Sequence, residues 1–143
     1  MNYIIHTDGG ARGNPGPAAI GIVIEKAEGK NHTVIASYGK HIGKSTNNVA
    51  EYAAVKDALE TICVKLDERA GDRYDFFLDS LLVVNQLNGT FKVKDATLRD
   101  SLSRIRILEQ QVGGVITYNQ IPRSENVHAD AEVNKALDIF LYR

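Results

Sequence analysis

The chain has 143 residues, 17 Lys+Arg against 18 Asp+Glu, a formal net charge of -1 and 43% hydrophobic residues. That size suits one domain able to bury a core without staples. The composition excludes a disordered chain, a fibre and a disulfide-rich miniprotein, and a single Cys excludes an internal disulfide. No apolar run approaches the ~18 residues a membrane helix needs, and the start MNYIIHTDGG lacks the basic opening of a signal peptide. A cytosolic protein with no membrane partner is therefore the expectation. The near-zero charge counts against holding nucleic acid by bulk positive charge.

Residues 2–8 (NYIIHTD) read as a strand, β-branched and aromatic, running into Gly9-Gly10. Residues 9–17 are dense in Gly and Pro and read as a loop. Residues 18–25 read as a second strand and 32–40 as a third, with a hairpin turn over 28–31. From Asn47 the period changes: Glu51, Ala54, Val55, Ala58, Ile62 and Leu66 share one face, predicting a helix to about residue 68. Residues 74–79 read as a strand, 80–87 and 95–111 as helices separated by Asn88-Gly89, 115–121 as a strand, and about 126–142 as a closing helix. Strands joined by short turns pair antiparallel, and strands separated by helices add in parallel. The fold class expected is α/β: a mixed five-stranded sheet, three antiparallel strands then parallel additions, flanked by helices, in one domain over residues 1–143.

Four acids sit where a structural role alone does not explain them. Asp8 and Asp79 each end a strand. Glu51 lies on the apolar stripe of its helix with Val55, Ala58 and Ile62, and Asp130 shares a helix face with Val133, Leu137 and Leu141. Singly, such acids form turns or favour a helix dipole by ~0.3–1 kcal/mol. If the strands ending at Asp8 and Asp79 are neighbours, the four can face one point. Buried carboxylates need a partner, and no Lys or Arg in these motifs pairs them all. Carboxylate oxygens without thiolates select Mg²⁺ or Mn²⁺ over Zn²⁺. Two such ions ~3.5–4 Å apart activate a water and stabilise the leaving oxygen of a phosphodiester.

The same residues stand in recognisable motifs. TDGGARGNPGPA over residues 7–18, TNNVAEYAA over 46–54, LDS over 78–80 with the helix that follows, and IPRSENVHAD over 121–130 resemble the four motifs of type 1 ribonuclease H, in order, across essentially the whole chain. The resemblance implies a ribonuclease H-like fold and a metal-dependent endonuclease cutting the RNA strand of an RNA/DNA hybrid, leaving 3′-hydroxyl and 5′-phosphate ends. It carries the family's metal-binding acids onto Asp8, Glu51, Asp79 and Asp130, with two Mg²⁺ or Mn²⁺ ions. It assigns substrate contact to Gly9, Gly10, Arg12, Asn14, Thr46, Asn47, Asn48, Gln86 and Arg123, with Thr46 on a DNA-strand phosphate. Glycines let backbone approach the minor groove, and short amides read 2′-hydroxyls. A turn at Asn14-Pro15-Gly16 and a helix cap at residues 46–48 are the structural alternatives. The segment is neither GxGxxG nor GxxxxGKS, which excludes a nucleotide-binding loop. A monomer with a hybrid as its partner is expected.

The chain also departs from longer members of that family. Only eight residues (122–129) separate Ile121 from Asp130, and His128 does not match the register of the family's loop His, so no catalytic role is assigned to it. There is no Trp-rich basic protrusion; residues 88–106 carry a local net charge of +3 and form at most a smaller basic handle. The alternatives from other classes are a non-cleaving hybrid- or double-stranded-RNA-binding module and another nuclease of the superfamily. Two bound divalent cations raise the chain's formal charge from -1 to +3, at the point where a scissile phosphate binds.

Overall fold

The computed structural model describes residues 1–66 and 71–142. Its elements are β1 (Asn2–Ala11), β2 (Gly16–Glu28), β3 (Asn31–Ser45), α1 (Asn47–Lys65), β4 (Arg73–Leu78), α2 (Leu81–Leu87), α3 (Ala96–Val112), β5 (Val115–Gln120), a 3₁₀ turn at Arg123–Glu125, and α4 (Val127–Tyr142). The sheet order is β3-β2-β1-β4-β5. β1–β2 and β2–β3 are antiparallel, and β1–β4 and β4–β5 are parallel. This is the mixed sheet the sequence predicts. The last residues of the expected first helix, 67 and 68, lie outside the described residues.

The glycine segment differs from expectation. β1 runs on through Gly9 and Gly10, which pair with Ile20 and Ala19, and only residues 12–15 lie outside the two strands. Strand pairing here overrides the breaker propensity of glycine. β3 is also longer than expected, because two register shifts, at Ala18/Ala19 and Ile24/Glu25, let it follow β2 along its whole length.

Two helical layers enclose the sheet, and glycines set their distances. A Cβ on Gly9 would stand 2.2 Å from the Ala50 carbonyl carbon, so α1 lies directly on β1 at this point. On β2, a Cβ on Gly21 would stand 2.1 Å from the Ala129 oxygen, and one on its partner Gly39 2.4 Å from the Glu132 oxygen. Gly9 pairs with Ile20, the residue before Gly21. Successive residues point to opposite faces, so α1 and α4 cover opposite sides. Between the sheet and α1, α2 and α3 lies the main core, including Ile5, Ile22, Tyr52, Leu59, Ile62 and Phe76, all fully buried. Each such side chain contributes roughly 1.5–3 kcal/mol. Under α4 the core is small: Ala19, Val133 and Leu137. Leu141, expected on that face, is 39% exposed.

Candidate active site

β1 and β4 lie side by side, with His6 opposite Phe77 as the last paired residues. Two residues further along each chain stand Asp8 and Asp79. The condition on which the four-acid reading rested is therefore met: these two strands are neighbours. Asp79 is followed by Ser80, whose hydroxyl accepts from the Val83 N–H (3.3 Å) and starts α2. Glu51 is brought in by the close seat of α1 on Gly9. The start of that helix is fixed by Thr46, whose Oγ1 accepts from the Val49 N–H at 3.3 Å. Asp130 arrives because Gly21 lets the Ala129 backbone lie over β2, and Gly21 is the partner of Asp8.

One carboxylate oxygen from each of Asp8, Glu51 and Asp79 lies within 4.8 Å of the others. Asp8 and Glu51 are buried, and Asp79 is half-buried. Asp130 is half-buried and stands outside this trio, its Oδ2 accepting from Asn134 Nδ2 at 3.3 Å. All four acids line one cavity of about 470 Å³. Among the described residues no ion pair joins any of them to Lys or Arg. Burial, and then the charge of Asp79, push the Asp8 carboxyl up to about 7. Burial, and then the charge of Asp8, push Glu51 well above the usual carboxylate range. The pair therefore retains a proton near neutral pH. Glu51 Oε2 is buried with no hydrogen-bond partner. An orphaned carboxylate oxygen among clustered acids, with no nitrogen or sulfur donor, fits a hard divalent cation.

The other candidate residues fall into three groups. Gly9, Gly10, Arg12, Asn47, Asn48 and Arg123 line the acid cavity. Asn14 and Thr46 line a second groove of about 590 Å³ with Asp95 and Thr97, and Asn47 and Asn48 form the ridge shared by the two. That ridge is braced: Asn47 Oδ1 accepts from the Ala11 N–H (2.9 Å) and the Asn47 N–H donates to Asn14 Oδ1 (3.0 Å). Gln86 stands apart, buried on α2, with Oε1 accepting from the Tyr52 hydroxyl at 2.6 Å. Arg12 is engaged across the cavity by Asp138 of α4 (2.8 Å). The basic residues of 88–106 are partly engaged too, Arg104 by Asp100 and Arg106 by Glu109. His128 is exposed.

The structure also involves residues to which sequence reasoning gave no role. Asn126 is 1% exposed and its side-chain amide donates to the Thr7 carbonyl (2.9 Å) and to Asp79 Oδ2 (3.3 Å). Asn134 holds Asp130, and its i+4 spacing from that acid was the available signal. Tyr52 orients Gln86.

A sheet in this order with carboxylates gathered at the β1–β4 end defines a class, the ribonuclease H-like proteins, and comparison narrows it. Residues 6–136 match the family model described as "Reverse transcriptase-like". The crystal structure of RNase H1 from Halobacterium salinarum superposes with a TM-score of 0.86 at 37% identity, covering 97% of this chain and 99% of that one. LC11-RNase H1 in complex with an RNA/DNA hybrid gives 0.89 at 40% identity, again covering 97% and 99%. The N-terminal RNase H domain of a Mycobacterium tuberculosis bifunctional protein gives 0.85 at 38% identity, covering 96% and 100%. The chain belongs to the type 1 ribonuclease H family. It spans 36% of the length of that full bifunctional protein and 62% of the Halobacterium salinarum ribonuclease HI chain.

Among the described residues no helix is long and apolar enough to cross a membrane.

Proposed function

We propose that residues 1–143 act as one catalytic unit, a metal-dependent endonuclease that hydrolyses the RNA strand of RNA/DNA hybrids. In this reading Asp8, Glu51, Asp79 and Asp130 hold two divalent cations, Mg²⁺ or Mn²⁺. The observation that carries it is the three-carboxylate cluster, two of its members buried, with no ion pair to Lys or Arg among the described residues and standing open to a cavity in a chain of this family. A relative at 40% identity was crystallised with an RNA/DNA hybrid, which supports the substrate class.

When bound, the cations lower the pKa of the attacking water and stabilise charge on the scissile phosphate and the leaving oxygen. Water adds to phosphorus, the bond to the 3′-oxygen breaks, and the products are a 3′-hydroxyl and a 5′-phosphate. The chain's residues do the rest. The four carboxylates hold the cations, and the Asn47–Asn48 ridge separates two grooves that suit the two strands of a duplex. The RNA strand lies in the acid cavity beside Gly9, Gly10 and Arg123. The DNA strand runs past Asn14 and Thr46, whose hydroxyl keeps its proton free for a phosphate while its oxygen caps α1. Amide groups on the ridge offer both donor and acceptor to 2′-hydroxyls, which duplex DNA lacks. The unit works as a monomer in the cytoplasm.

The test is a set of matched labelled duplexes (hybrid, RNA and DNA) incubated with Mg²⁺ or Mn²⁺. Cleavage of the RNA strand of the hybrid alone is expected. Hybrid left intact with either metal from neutral to alkaline pH would falsify the assignment.

A further inference from the structure

We propose that Asn126 is a positioning residue that fixes three of the four carboxylates relative to one another; this rests on reading those acids as cation ligands. Asn126 stands between the 3₁₀ turn and α4; its side-chain nitrogen and its backbone carbonyl are both committed to acid-bearing segments, while its backbone N–H donates to the Arg123 carbonyl. Its Nδ2 donates to the carbonyl of Thr7, the residue before Asp8, at 2.9 Å. The same nitrogen donates to Asp79 Oδ2 at 3.3 Å. Its backbone carbonyl accepts from the Asp130 N–H at 3.1 Å. One residue thus ties three segments: its side chain joins the end of β1 to the carboxylate after β4, and its backbone carbonyl holds the first turn of α4.

The location explains why such a tie is needed. The β1–β4 ladder stops at His6 and Phe77. Beyond it the Thr7 carbonyl receives a side-chain amide instead of a strand partner. An amide nitrogen has two protons, and here both are used. Turning the amide over would set Oδ1 against two oxygen acceptors, so its orientation is dictated by Thr7 and Asp79. The cost of that orientation is visible: Asn126 Oδ1 is buried without any partner. A side chain serving packing alone gains nothing from an orphaned oxygen. Held this way, Asp79 keeps its other oxygen for a cation, and its Oδ2 is fixed by a donor that cannot itself bind the metal.

Two variants and one measurement on the unaltered protein test this. Asn126→Asp keeps the shape and replaces the donor with an acceptor; Asn126→Ala removes both bonds. Mn²⁺ binding by titration calorimetry, without nucleic acid, is expected to weaken by about 10–100-fold in the folded variants. On the hybrid, kcat at fixed subsaturating Mg²⁺ should fall by a similar factor while KM changes by less than about threefold. Mn²⁺ affinity within about threefold of the parent in either folded variant overturns the proposal. In the unaltered ¹⁵N-labelled protein, the Asn126 side-chain amide signals should move on Mg²⁺ addition with the midpoint of metal binding. Signals that stay in place while the metal saturates overturn it without recourse to any variant. An unaltered protein that binds Mn²⁺ but leaves hybrid uncut defeats the ribonuclease reading and leaves the role of Asn126 to the binding and NMR results. A protein that binds no divalent cation overturns both.

Discussion

Two polar clusters sit against the same sheet and follow opposite rules. At the α3–β5 side, Glu109 accepts from both ends of a short network: Arg106 Nη1 reaches its two oxygens at 3.1 and 2.9 Å, and the Tyr118 hydroxyl donates to it at 2.6 Å. Arg106 also donates to the Leu87 carbonyl, tying α2 in. Every charge there has a partner from the chain itself. At the β1–β4 end, Asp8, Glu51 and Asp79 gather with no ion pair to Lys or Arg among the described residues, and Glu51 keeps a buried oxygen unpaired. Carboxylates completed by the chain hold structure together. Carboxylates left incomplete at some cost to the fold are completed by something the chain does not encode.

The sharpest way to break this contrast is Asp8→Asn. It should lower hybrid cleavage by on the order of 10³-fold or more, measured on a labelled hybrid, while the protein remains folded by circular dichroism. Loss of the folded state in that variant would place Asp8 among structural residues and dissolve the distinction.

A second prediction concerns pH in the absence of metal. The Asp8 carboxyl rises from an ordinary value near 3.8 to about 7 in the folded chain. The folded state therefore binds more protons than the unfolded state between these values. Its contribution to stability is complete below pH 4 and is lost as pH rises through 7. Relative to Asp8→Asn, the unaltered metal-free protein should lose on the order of 1–3 kcal/mol across that window, and saturating Mg²⁺ at pH 8 should restore it. Urea unfolding of both proteins at several pH values checks this. A flat difference between them would show that Asp8 is not under the stress its surroundings imply.

Glu109→Gln should behave in the opposite way. It breaks a satisfied, half-exposed network and should cost about 1–2 kcal/mol. Cleavage per folded molecule and its Mg²⁺ dependence should stay within about twofold of the parent. An altered Mg²⁺ dependence would mean the two clusters are coupled.

The contrast also marks what could be read from the sequence. The period change at Asn47 and the breaker clusters located most elements, because helix and strand periodicities are local signals. The end of β1 was not legible, since Gly9 and Gly10 look like breakers until β2 supplies their partners. The four acids stood out one by one, but their meeting depended on β1 and β4 being neighbours, which pairing decides. The first motif makes Gly9 a surface for substrate; its missing side chain is equally required by the Ala50 backbone. The role of Asn126 was out of reach, because its partners lie 119 and 47 residues away. Its place in the first motif directs Arg12 to substrate, yet Asp138 meets it across the cavity from the last helix.

The smallest prediction tests the contrast between two adjacent residues of one helix. Glu51 and Tyr52 are both buried at the start of α1; the first keeps an orphaned oxygen, and the second is fully paired. Burial pushes the Tyr52 hydroxyl up to about 12, so it remains a donor at any working pH. Donating to Gln86 Oε1, it sets which way round that amide sits. Tyr52→Phe frees the amide to turn over and present the wrong group part of the time. If Gln86 faces the minor groove, KM for the hybrid should rise about two- to fivefold, equivalent to roughly 0.5–1 kcal/mol, with kcat unchanged. Steady-state kinetics at saturating Mg²⁺ separates the two constants. A fall in kcat with KM unchanged would mean that Tyr52 acts on its neighbour Glu51, and that the paired and unpaired halves of this helix turn are one device.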